Sequence, residues 1–139
     1  MAWECSRVAA LGTAQVEVVA PRPGTSDIAV LSSRLEGNTW DASIAIFDAR
    51  VSPWHLAAHL PLHDTASTLA WSDAAAGTFI VGSDSGEVLV LRAPGVASKD
   101  ATPRLLASLR FHDDAVTCIA VPRADSGTSV AVSGSADRR

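Results

Sequence analysis

Three histidines, His55, His59 and His63, recur at every fourth position. That spacing places the rings on one face of a helix or of a strand. A ladder of imidazole nitrogens is a ligand set for zinc or nickel. Pro61 falls inside the run and breaks a helix. On an outer strand the rings stay hydrated, so no native metal is expected. A second constellation is His112, with Asp113 and Asp114 beside it and Ser133 downstream. Those residue types do general acid–base work or make a Ser-His-Asp set. The sequence has no G-x-S-x-G nucleophile elbow, no G-x-G-x-x-G and no Walker loop. The chain is therefore read as non-catalytic and without a cofactor. Cys5 and Cys118 are the only cysteines, too few for a disulfide scaffold or for a zinc site of their own.

These side chains sit in a chain of 139 residues, 47% hydrophobic and 19% charged, which is one domain's worth of globular composition. Its longest apolar runs, such as 88–91, fall far short of the ~20 residues that span a bilayer. The first ten residues carry Glu4 and Arg7 and make a poor signal peptide. A soluble, intracellular protein is expected. The net charge is -4 and Lys99 is the single lysine, which argues against a phosphate-binding surface and against direct nucleic-acid binding. A mildly acidic surface suits neutral or basic protein partners better.

One pattern occurs three times: an apolar strand, a turn, a second apolar strand ending in small residues, a tight turn, and a third strand. In the clearest copy the strands are 68–72, 78–83 and 87–92, with Asp84-Ser85-Gly86 as the hairpin turn. The preceding copy has strands at 14–19, 28–33 and 41–48, with a longer connection over 34–40. The last has strands at 115–121 and 129–135, separated by a turn at 124–128. Apolar segments at 54–62 and 104–111 supply a fourth, outer strand, and Pro53, Pro61 and Pro103 bound or interrupt them as edge strands allow. Four strands at a period of ~40–45 residues are the signature of a propeller blade.

The residues themselves resemble WD repeats. Ser133-Gly134-Ser135-Ala136-Asp137 has the form of the repeat's S-G-S-x-D turn, and His112-Asp113 stands where the repeat has Gly-His. Phe47 takes the place of the closing Trp. The implied fold is all-β, a WD40-type β-propeller. Blade one covers about 14–62, blade two about 63–111, and an incomplete blade three 112–139. A whole propeller has ~4–8 blades, so the chain is expected to be a fragment, or the short product of a longer gene, with about two and a half blades of seven. In WD repeats a His, a Ser or Thr, the turn Asp and the Trp form a hydrogen-bonded chain. Here His112, Ser133 and Asp137 fill it in blade three. In blade two His63 is present, but Ser85 and Leu91 occupy the Asp and Trp positions. No blade buries its faces alone, so this chain is expected to be marginally stable by itself.

Three stretches, 32–47, 65–92 and 111–137, narrow the resemblance to the methylosome protein 50 family, the WD-repeat subunits of type II protein arginine methyltransferase complexes. The connection carrying Trp40, the Ser83-Asp84-Ser85-Gly86 turn and His112-Asp113-Asp114 carry it most specifically. The resemblance implies a non-catalytic scaffold of the cytoplasm and nucleus that docks on the N-terminal barrel domain of the methyltransferase. It helps to present basic substrates, histones and Sm proteins, for arginine methylation. A generic WD40 adaptor for another complex is the alternative. The family inserts a Trp of the first-blade loop into the enzyme, and Trp40 matches it, flanked by Asn38 and Asp41. Asn38 replaces an Arg of the family, which removes a charged contact. The residues point the same way: a Trp in the polar loop 34–41 has little core to fill, and Trp is enriched among interface hot spots. Trp71, which ends a strand, is read as core, and Trp54 as core or surface.

Overall fold

Residues 78–83 read Thr-Phe-Ile-Val-Gly-Ser and are apolar almost throughout, so a strand made from them has two faces to bury. In the computed structural model they do so. Phe79 and Val81 point to one neighbouring layer and Ile80 to the other. The structure describes residues 14–73, 77–95, 100, 102–122 and 131–137. The turn read at 124–128 and the first ten residues lie outside them.

Among the described residues ten strands follow in order: β1 (Gln15–Pro21), β2 (Asp27–Glu36), β3 (Thr39–Asp48), β4 (His55–Pro61), β5 (Ala66–Asp73), β6 (Thr78–Ser83), β7 (Glu87–Arg92), β8 (Arg104–Arg110), β9 (Val116–Ala120) and β10 (Val132–Ser135). They form two four-stranded antiparallel sheets, β1-β2-β3-β4 and β5-β6-β7-β8, and a two-stranded hairpin, β9-β10. Each sheet is a meander, with successive strands side by side. β5 packs on β1 and β2, and β9 packs on β5 and β6, so each layer leans on the next.

Side-chain alternation decides which layer each residue serves. In the first sheet Ala29, Leu31, Ala42, Ile44 and Ile46 face the second sheet, where they meet Leu69, Phe79, Val81 and Leu91. Ile28, Val30, Ala45 and Phe47 face the other way and form a separate cluster with Leu56. Ile80 and Val88 bury Val116 of the hairpin. Phe47 and Phe79 are completely buried. Truncating such a ring to alanine costs about 3–5 kcal/mol.

The structure differs from the sequence reading at the connection over 34–40. It is not a loop. β2 and β3 continue pairing to Arg34↔Asp41, Leu35↔Trp40 and Glu36↔Thr39, so a hairpin arm closes on Gly37 and Asn38. Gly37 has φ 61°, and a two-residue turn of this kind matches the twist of its flanking strands.

Candidate functional site

The arm is built by the ladder that makes the first sheet. Trp40 pairs with Leu35 and lies two residues from Ala42, so it belongs to the face that packs on the second sheet. At the arm that face runs past its cover. Trp40 is 48% exposed and Leu35 51%. Trp40 borders an open cleft of about 320 Å³ whose other walls include Glu17, Ser33, Thr65 and Asp84. The Ser33 hydroxyl donates to Glu17 at 2.6 Å across the β1–β2 pair. Arg34 and Glu36 pair at 3.7 Å on the opposite face. Asn38 sits at the tip and Asp41 on the flank, both exposed. The arm can thus present an indole and a leucine side by side on a rigid, hydrogen-bonded support. Leu35 was missed in the sequence. Its signal was present, since Gly37-Asn38 between alternating residues is a hairpin turn.

The other candidate residues lie elsewhere. His112 is 4% exposed. Its Nδ1 faces both Asp137 carboxylate oxygens at 3.2 Å, and its Nε2 lies 2.9 Å from Ser133 Oγ. The Asp113 N–H also donates to Asp137, at 2.7 Å. Nδ1–H donating to Asp137 and Ser133 O–H donating to Nε2 satisfies every partner. That order is also the order of an acid–base relay. Ser133, however, is a ladder residue paired with Ile119, and the cleft beside Trp40 is not lined by any of the three. The geometry ties the loop before β9 to the turn after β10.

His63 does not join such a group. It is exposed, just beyond β4. In the second sheet the hydroxyls close the β6–β7 turn on itself: Ser83 and Ser85 Oγ atoms are 2.9 Å apart, and the Glu87 N–H donates to Ser83 Oγ at 3.1 Å. With Ser85 in the aspartate position, no carboxylate draws the ring inward.

The histidine ladder is also absent, for a geometric reason. β4 slips register against β3 between Ile46 and Phe47, which pair with Ala58 and Leu56. This bulge at Ala57 reverses the alternation. Ala58 faces the second sheet and Leu56 the opposite side. His59 lines a cleft with Leu56, whereas His55, next to Leu56 in sequence, takes the other face. No group of His, Cys, Asp or Glu among the described residues could hold a metal ion.

Trp71 lies between the sheets, half-buried. Its Nε1–H donates to the Ala20 carbonyl at 2.9 Å, its ring packs on Phe79 at 5.2 Å, and the Arg22 guanidinium lies 5.6 Å from its centroid. Trp54 is 38% exposed and leans on Phe47.

No family model matches the sequence, and no curated protein matches it. Among solved structures, the chain is similar to Sqt1 of Saccharomyces cerevisiae, a WD40 propeller, at 13% identity and a TM-score of 0.53. The match covers 83% of this chain and 40% of that one. At such identity the likeness speaks to fold. The described chain is all-β and has the fold of part of a WD40-type propeller, with two four-stranded blades and two strands of a third.

Proposed function

We propose that the chain is a non-catalytic adaptor that binds other proteins, and that its first-blade arm docks a type II protein arginine methyltransferase. The observation that carries this reading is Trp40 itself. It is a large apolar ring, half-exposed, paired with exposed Leu35, and held by a ladder running out of a well-packed sheet. A rigid indole of this kind loses little conformational freedom on binding. The methyltransferase reading rests further on the resemblance of residues 32–47, 65–92 and 111–137. Basic substrates, histone or Sm protein tails, then suit the acidic balance of the chain.

A pull-down of a type II arginine methyltransferase with this chain tests the reading. Capture should fall by about tenfold or more for Trp40→Ala, as for an interface hot spot. Leu35→Ser should weaken it as well. Equal capture by the wild-type chain and both variants would locate docking elsewhere. Loss of the enzyme alongside retention of another partner that depends on Trp40 would favour the generic adaptor.

A further inference from the structure

We propose that the outer groove between the first two blades is a second docking site, for an extended segment of a partner protein that carries an aliphatic side chain next to a lysine or arginine. The groove runs between β4 of one sheet and β7 and β8 of the next, on different residues from the arm. Its volume is about 270 Å³. That lies below the ~300–1,000 Å³ typical of small-molecule pockets and suits one or two peptide side chains. Leu60 and Leu62 form one wall, and Leu89, Leu91 and Leu105 form the other. Leu91 is fully buried at the floor, whereas Leu105 is 58% exposed at the rim. An aliphatic side chain entering between them removes apolar surface from water on both sides.

Charge selects the neighbour. Asp64 and Glu87 line the groove, with no lysine or arginine lining it among the described residues. The Thr65 N–H donates to Asp64 at 2.8 Å and holds that carboxylate at the end of the groove. The occupant is therefore basic beside its anchor. A second copy of the chain fits less well, since each copy carries a net charge of -4. An extended conformation follows from the walls. β4 and β8 are the outer strands of their sheets, and no strand pairs with their outer edges among the described residues. Backbone N–H and C=O groups there are available to a strand-like segment. Both blades flanking the groove have all four strands, so its shape does not depend on the third. His63 also borders the groove.

Fluorescence anisotropy tests this with a labelled extended peptide whose central leucine is flanked by lysine and arginine. Two control peptides carry aspartate in place of the leucine, or glutamates in place of the basic flanks. The chain should bind the first probe and neither control. Leu105→Glu should weaken binding at least about tenfold, with the fold checked by circular dichroism. Glu87→Lys should weaken the basic probe and restore binding of the glutamate-flanked one, a gain that misfolding cannot produce. Trp40→Ala should leave this binding unchanged, which separates the groove from the arm. No binding of the basic probe, equal binding of all three probes, or a loss with Trp40→Ala would overturn the proposal. Sedimentation showing a dimer that Leu105→Glu dissociates would assign the groove to a second copy instead.

Discussion

Asp137 accepts from both the His112 ring and the Asp113 N–H, so one carboxylate joins the chain just before β9 to the turn just after β10. The His112 and Asp137 side chains are only 5% and 6% exposed. Removing either partner leaves the other desolvated, at a cost of about 1–3 kcal/mol. The loss should stay local. In Asp137→Ala, amide hydrogen exchange should quicken across β9 and β10 while the β2–β3 amides keep their protection. Uniform acceleration over all three layers would show that the hairpin folds as one unit with the sheets. A catalytic use of His112 would appear instead as lost turnover in a variant whose exchange pattern is unaltered.

Arg22 and Asp27 pair at 3.2 Å with side chains 9% and 5% exposed, at the seam where Trp71 crosses to Ala20. Breaking a buried pair from one side costs about 3–5 kcal/mol, because a charge stays behind without its partner. Arg22→Ala should therefore lower the denaturation midpoint far more than the double replacement of Arg22 and Asp27 by leucine. Chemical denaturation of the single and double variants checks this. Equal losses would mean that Arg22 acts through its stacking on Trp71, not through the ion pair.

The strands were legible because their apolar residues alternate or run unbroken, and β6 and β7 sit at the residues read from the sequence, 78–83 and 87–92. Four features were hidden for physical reasons. The arm was masked because Arg34, Glu36 and Asp41 make a strand beyond the core look like a polar loop. The Ala57 bulge leaves no mark in composition, yet it sends His55 and His59 to opposite faces. His63 stands at the repeat's histidine position yet lies exposed, and no local pattern encodes that. The outer groove needs β4 and β8 to meet in space, which sequence spacing alone does not fix.

Gly86 turns β6 into β7 with φ 92°, a region that side chains rarely adopt. A Cβ there would also run into the His112 backbone carbonyl, since the His112 N–H and the Gly86 carbonyl approach at 3.4 Å. Both effects act together in Gly86→Ala, so the loss should exceed the about 1 kcal/mol of an ordinary glycine replacement. Thermal melts of Gly86→Ala and Gly24→Ala make the comparison. Gly24 has φ 75° but nothing near its missing Cβ, so its variant reports backbone strain alone. Equal melting shifts would show that the contact with His112 yields freely.

Asp48 ends β3 and is gripped by Arg50 two residues on. Arg50 Nε donates at 2.9 and 3.0 Å to its two oxygens, Nη2 donates at 2.6 Å, and the Arg50 N–H adds a bond at 3.0 Å. The side-chain hydrogen bonds from Arg50, followed by its backbone N–H, lower the Asp48 pKa from 3.8 to about 2. The same contacts raise the Arg50 pKa. Because the folded value lies below the unfolded one, the pair favours folding most fully above pH 3.8. That contribution fades as pH falls through the folded value of about 2. The Arg50 side chain is 60% exposed, so the effect of the pair on stability is small and weakens with salt. Carboxyl carbon chemical shifts followed by NMR between neutral and strongly acid pH give the Asp48 midpoint directly. Arg50→Ala should move that midpoint up toward 3.8. A wild-type midpoint already at the ordinary value would show that Arg50 does not hold this geometry in solution.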